Sequence, residues 1–159
     1  MDKTAATEAF WAEFKIAAHL DHDDYVVAAF GDSVEMMDRL AALVETGLKR
    51  ATTSVLRDYE GGHEKMPAVG DHVVVVDGKG FPRLVWRTTQ VDVTPLNRVD
   101  AAFAWDEGEG DRSLADWYDS HRRYFVRQAA REGFAMRDDI ECVLERFEVL
   151  WPPALADRR

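Results

Sequence analysis

Cysteine is nearly missing from this chain: Cys142 stands alone among 159 residues. A single thiol cannot close an intramolecular disulfide, and a cysteine-based zinc site needs more than one. No disulfide-linked partner is expected. Basic residues are also in short supply, with 20 Lys and Arg against 30 Asp and Glu, a formal net charge of −10. A surface of that sign does not draw nucleic acid from a distance, which excludes a polybasic coat and leaves room for a small local basic cleft. Long apolar runs are absent as well. Nothing approaches the roughly 18 residues of a membrane span, and the acidic N-terminus lacks the apolar stretch of a secretory signal. The expectation is a cytoplasmic protein without membrane association. The sequence shows no internal repeat and no low-complexity segment.

What is present is enough apolar material for a core, at 47% hydrophobic residues and 11% aromatic, which argues against disorder. The length suits one domain. A first helix is expected from Thr4 or Thr7, with Phe10, Trp11, Phe14, Ala17 and Ala18 at helical spacing, ending near Leu20. The composition shifts at the Asp21–Asp24 break, so residues 1–22 read as a helical appendage and 23–159 as the main domain. Ser33 is a plausible cap for a second helix whose stripe is Val34, Met37, Leu40, Ala41 and Val44, with Gly47 suited to its end. Strands are expected at Thr52–Leu56, Val73–Val76, Leu84–Val93 and Val143–Trp151. Ser113 would cap a third long helix, Leu114 to about Arg131, ended by Gly133. Several strands, few helices and at least one hairpin favour an α+β fold around a mostly antiparallel sheet or small barrel.

At the end of the second helix the chain reads Gly47-Leu48-Lys49-Arg50-Ala51-Thr52, a G-x-K-x-x-T signature. Other segments accompany it in order: Pro67 to Asp71 with the valine strand, Thr88-Thr89, Phe103-Ala104 running into Glu107-Gly108-Glu109-Gly110-Asp111, then Ser113-Leu114, Trp117 and His121, and finally Cys142 to Leu150. Together they resemble the ASCH domain family, in its longer bacterial branch, over about Phe30 to Leu150. The resemblance implies a PUA-like, mostly antiparallel β-barrel flanked by helices, and RNA or a modified nucleoside as partner. In small bacterial members that share the motif, a Lys, a Thr and a later Glu form the site of an amidohydrolase acting on acetylated cytidine. Carried over by motif, these are Lys49, Thr52 and Glu107, with Glu109 the competitor for the acid. The resemblance implies no cofactor. Ribonuclease action, or RNA binding by an adaptor without turnover, is the rival reading.

The residue chemistry fits that implication. A lysine at a helix end, partly desolvated, loses basicity and can act as a general base. A threonine hydroxyl beside it can then be a nucleophile, and a carboxylate can hold the lysine or relay a proton. Arg50, Ser54, Tyr59, Trp117 and His121 are the candidate substrate-binding residues. For Trp117 and His121 the alternative is ordinary packing on the apolar face of the third helix. Arg123, Arg127 and Arg131, spaced by four, form a basic stripe that either meets phosphates or is a solvated face with its own acidic partners. The Glu107–Asp111 run lacks the pattern of a calcium loop, and no metal site is expected. Oligomeric state stays open.

Overall fold

The computed structural model describes residues 1–158; the last residue of the expected main domain, 159, lies outside the described residues. Five strands form one curled sheet: β1 (Val26–Ala28), β2 (Ala51–Val55), β3 (His72–Val76), β4 (Pro82–Pro95) and β5 (Glu141–Trp151). Their order across the sheet is β1-β3-β4-β5-β2. Only the β1–β3 pair is parallel; β3–β4, β4–β5 and β2–β5 are antiparallel. The result is a mixed α+β fold, a half-barrel with flanking helices. The short β3–β4 connection at Asp77-Gly78 is a hairpin, and Asp77 closes it by accepting hydrogen bonds from the Lys79 and Phe81 amides.

Alternation along the strands decides what each face receives. Val73, Val75, Leu84, Trp86, Phe147 and Val149 share one face and pack against Leu40 and Val44 of helix α2 (Val34–Glu45). The Trp86 and Phe147 rings stack there with centroids 4.1 Å apart. On the opposite face, Val74, Val76 and Val85 meet Trp11 and Phe14 of helix α1 (Ala5–Ala17), whose cap is Thr4. This N-terminal helix buries Trp11 and Phe14 against the sheet, with Phe10 partly buried beside them. Further along that face, Ala51, Val55, Cys142 and Leu144 pack beneath α4 (Ala101–Glu107) and α5 (Leu114–Glu132), which supply Phe103, Ala104, Trp117 and Phe125. A short helix missed in the sequence, α3 (Arg57–Glu60), follows β2 directly.

α2 covers only part of its face. Beyond it, the face carries polar side chains: Thr52 on β2 stands opposite Glu145 on β5, and Thr88 on β4 reaches the same glutamate. This uncovered end is where a cleft opens.

Candidate active site

Lys49 is placed by the end of α2. The amides of Leu48 and Lys49 both return to the Leu43 carbonyl, at 3.2 and 3.1 Å, after Gly47 has turned the chain at φ +86°. The lysine is then folded inward and is only 1% exposed. Its Nζ donates to Glu107 Oε1 at 3.1 Å and lies 5.2 Å from the Phe30 ring centroid. A buried ammonium needs such a partner, because removal from water costs several kcal/mol per ion.

Glu107, the last residue of α4, is equally buried at 1% exposure. Besides Lys49 it accepts from the Thr53 hydroxyl at 2.9 Å, from the Trp117 indole N–H, and from His121 Nε2 at 3.0 Å. Burial works against ionisation of this carboxyl. The charges of His121 and Lys49 and the hydrogen bonds from His121 and Trp117 outweigh it, so its pKa lies below the ordinary carboxylate value. His121 presents its other nitrogen, Nδ1, to the Trp117 carbonyl at 2.8 Å. Both ring nitrogens thus face acceptors, so both carry protons and the ring is an imidazolium. Burial depresses the His121 pKa, but the Glu107 charge and hydrogen bond, with Glu109 3.6 Å away, raise it overall.

A pH dependence of stability follows. The raised pKa of His121 gives a contribution that is complete below its unfolded value of about 6.5 and is lost as pH rises through the folded value. Urea unfolding between pH 6 and 9 is expected to show the stability difference between wild type and His121→Gln shrinking as pH rises. A difference that stays constant would refute the imidazolium assignment.

Glu107 is held against Lys49 by a glycine. Gly108 ends α4 at φ +69°, and a Cβ there would lie 2.2 Å from the Leu48 carbonyl oxygen and 3.0 Å from the Lys49 nitrogen. Next to it, the Arg50 amide donates to the Asp106 carbonyl at 2.8 Å. The C-terminus of α4 is therefore docked on the Leu48–Arg50 backbone at a distance only glycine permits. Gly108→Ala is expected to cost about 3 kcal/mol or more, from the left-handed backbone and the clash together. Denaturant midpoints measure this; a loss under 1 kcal/mol would mean the docking is not tight.

The Lys49–Glu107 pair forms part of the wall of a cleft of about 1300 Å³. Thr52, Ser54, Tyr59 and His121 line the same cleft. Thr52 makes no side-chain hydrogen bond among the described residues, whereas its neighbour Thr53, on the other face of the strand, is the one that binds Glu107. Ser54 and Tyr59 share a hydrogen bond of 2.7 Å, and burial pushes the Tyr59 hydroxyl up to about 12, so it stays protonated.

Arg50 and Trp117 sit elsewhere. Arg50 turns to Asp157 and to the carbonyls of Val44 and Lys49, which anchors the chain end against the start of β2. Trp117 is buried with its ring stacked on His121 at 4.2 Å, and its N–H is used by Glu107; it orients the acid and presents no open face to a ligand. The arginine stripe lies along the cleft and is partly balanced: Arg127 and Arg131 share the one carboxylate of Asp32 at 2.9 and 3.2 Å, and Arg123 binds Asp119 at 3.0 Å. Glu109, the rival acid, also lines the cleft but meets neither Lys49 nor Thr53; its ion-pair partner is His121, at 3.6 Å.

Glu107, Glu109 and His121 could offer three ligand atoms to a metal, all within 4.8 Å of one another. The Lys49 ammonium and the imidazolium already balance these acids, so a cation would have to displace one of them. Cys142 is no nucleophile, since burial pushes its thiol up to about 12.

Thr88, which binds Glu145, figures in the sequence only as part of the resemblance; Thr53, Trp86 and Glu145 line the cleft and do not stand out there as site residues. Only Glu145 left a signal. It is the one charge on the Val143, Glu145, Phe147, Val149 side of β5, where alternation predicts core.

The ASCH domain model matches residues 26–151. Among solved structures, protein EF3133 of Enterococcus faecalis V583 superposes with a TM-score of 0.82 at 36% identity, over 91% of this chain and 92% of that one. An ASCH domain from Lactobacillus crispatus JV V101 also gives 0.82, at 30% identity, over 94% and 96%. A search of the curated proteins finds no match. Among the described residues, no helix is long and apolar enough to cross a membrane.

Proposed function

The chain belongs to the ASCH domain family, and from that premise we propose that its cleft binds a modified nucleoside and hydrolyses the amide of an acylated cytosine. The observation that carries this reading is the buried Lys49–Glu107 pair in the wall of a cleft that also holds the unengaged Thr52 hydroxyl. A buried pair of opposite charges is an expensive way to fill space; hydrophobic residues of similar volume often serve stability as well or better. Its position at a cleft gives it a chemical use.

The steps balance as follows. The resting pair is ionic. For Lys49 to serve as a base, one lysine proton passes to Glu107 along the 3.1 Å hydrogen bond once the ligand is bound. The Thr52 oxygen attacks the acyl carbon and its proton passes to the Lys49 amine. The C–N bond breaks, and the exocyclic nitrogen of cytosine leaves with that proton. Water then cleaves the acyl-threonine ester, releasing the acid and restoring the hydroxyl. Lys49 thus acts as a base only after that transfer to Glu107.

A single nucleoside fits better than a long RNA strand. Of the three α5 arginines along the cleft, Arg123 is paired with Asp119 while Arg127 and Arg131 share Asp32, so at most one positive charge is left over for phosphate, and the net charge of −10 repels a polyanion.

The test is chromatographic. Purified protein incubated with N4-acetylcytidine is expected to release cytidine and acetate. Failure of wild type to convert it would overturn the hydrolase reading. Cleavage of single-stranded RNA that disappears in Thr52→Val would instead establish the ribonuclease.

A further inference from the structure

Three arginines along the cleft, Arg39, Arg127 and Arg131, have a single carboxylate between them. Arg127 and Arg131 of α5 both bind Asp32. Arg127 donates through Nε at 2.9 Å and a terminal nitrogen at 3.3 Å, and Arg131 through one terminal nitrogen at 3.2 Å. Arg39 of α2 is exposed and has no hydrogen-bond or ion-pair partner among the described residues. It stands one helical turn after Met36, and Met36 packs on Gly31, where a Cβ would lie 2.4 Å from its Cγ. Arg39 is therefore on the side of α2 nearest the loop that carries Asp32.

The Asp32 side chain is 15% exposed, those of Arg127 and Arg131 47% and 50%. The carboxylate lies behind, and the two guanidinia stand in front on the cleft side. Arg127 is further held by the Tyr124 ring, whose centroid is 5.5 Å away. Asp32 uses two N–H groups of Arg127 and one of Arg131, and a guanidinium carries five. The remaining donors have no acceptor among the described residues. Two like charges fixed side by side on one carboxylate repel each other, and a second anion relieves that repulsion. Forks of free N–H donors suit an anion with several acceptor oxygens.

The charge count sets the size of that anion. Arg127 and Arg131 exceed Asp32 by one charge, and Arg39 adds a second. A phosphate monoester carries about −1.5 to −2 at neutral pH. One phosphate is balanced here, and a strand of them is not. The other cations along the cleft are taken: Lys49 and His121 by Glu107, Arg57 by Glu132, Arg123 by Asp119. Arg127 lies six residues beyond His121, the partner of Glu107, which is about 9 Å along the axis of α5. A single nucleotide bridges that span from base to phosphate.

We infer that Arg39, Arg127 and Arg131 form a subsite for the phosphate of a mononucleotide, so that the cleft takes a phosphorylated nucleoside in preference to the free one. This rests on the nucleoside reading for the base and is independent of hydrolysis. Inorganic phosphate probes the subsite without either.

The experiment joins NMR of the arginine Nε–Hε signals, titrated with inorganic phosphate, to calorimetric titration with cytidine and its 5′- and 3′-monophosphates. Wild type is compared with Arg39→Gln and Arg131→Gln, and with Arg123→Gln, whose charge is already paired, as control. Phosphate is expected to shift the signals of Arg39, Arg127 and Arg131. One of the two monophosphates is expected to bind about tenfold or more tighter than cytidine at low salt, with the advantage shrinking as salt rises. The isomer that leads identifies the position of the phosphate on the ribose. Arg39→Gln and Arg131→Gln are each expected to cut that advantage about threefold or more and to leave cytidine affinity unchanged, while Arg123→Gln alters neither. Arg39 has no partner to lose, so its variant keeps the fold out of question. Monophosphates that bind no tighter than cytidine, an advantage that survives in both variants, or arginine signals unmoved by phosphate would overturn the inference. Preference for a monophosphate without release of acetate from acetylated cytidine removes only the hydrolase. Release of acetate with cytidine and its monophosphates bound alike removes only this subsite. Phosphate bound at these arginines with no cytidine compound bound more tightly than phosphate itself removes both the nucleotide and the nucleoside reading.

Discussion

Lys49→Met is expected to lower the unfolding free energy by about 3–5 kcal/mol, as measured by urea denaturation at pH 7. The substitution deletes a buried cation and leaves Glu107 ionised inside the protein. The His121 imidazolium remains as its only cationic neighbour. Against a total stability of about 5–15 kcal/mol, that loss brings the fold close to failure. A simple alanine or methionine scan at Lys49 would therefore confuse lost chemistry with lost structure. The double substitution Lys49→Met with Glu107→Gln removes both charges at once. It is expected to regain at least half of the lost stability, because a neutral pair of similar volume no longer leaves a charge unpaired. Turnover of acetylated cytidine should be absent in both proteins. A single variant as stable as wild type would show that the pair carries no such electrostatic burden. A double variant that still turns over would remove Lys49 from the reaction.

Thr52→Val is expected to show the opposite pattern, with turnover reduced by about 10³-fold or more while stability stays within about 1 kcal/mol of wild type. The valine matches the threonine in shape, and the Thr52 hydroxyl has no hydrogen bond to lose among the described residues. Thr53→Val supplies the control. That hydroxyl donates to the buried Glu107 carboxylate at 2.9 Å, so its loss should appear as about 1.5–3 kcal/mol in the denaturation midpoint. If Thr53→Val abolished turnover at full stability and Thr52→Val did not, the nucleophile would be misassigned by one residue. The strand geometry makes the distinction sharp, since adjacent residues of β2 point to opposite faces of the sheet.

Much of the architecture follows from local pattern. Ser33 caps α2 and Ser113 caps α5 through the amides three residues on, as their positions before apolar stripes imply. The valine run from Val73 to Val76 is a strand buried on both faces, with α2 on one side and α1 on the other. The Lys49 motif drew attention to the right segment because Gly47 and the helix end are visible in the sequence. α3 was hidden because Arg57–Glu60 is a single turn with no apolar stripe to betray it.

Arg50 and Trp117 show the limit of spacing as a guide. Arg50 belongs to the motif, yet Asp157, 107 residues later, claims its guanidinium. Trp117 lies on the expected face of α5, yet its indole N–H is taken by Glu107 and its ring is stacked on His121, so it has no open face for a ligand. Which long-range partner a side chain meets depends on how helices settle on a sheet, and no local period encodes it.

The amino-acid sequence by itself determined the class of fold, the single reduced-looking thiol, the acidic balance and the segment that carries Lys49 and Thr52. Each of these depends on composition or on neighbours within a few residues. Tertiary structure alone decided that Lys49 and Glu107, 58 positions apart, share one hydrogen bond. It also decided that, of two threonines lining the cleft, Thr53 serves the carboxylate while Thr52 makes no side-chain hydrogen bond among the described residues, and that Glu145 and Trp86 line the same cleft. Strand register sets those meetings, and a register is fixed by the packing of the whole sheet, where a slip of one residue would send every side chain to the other face.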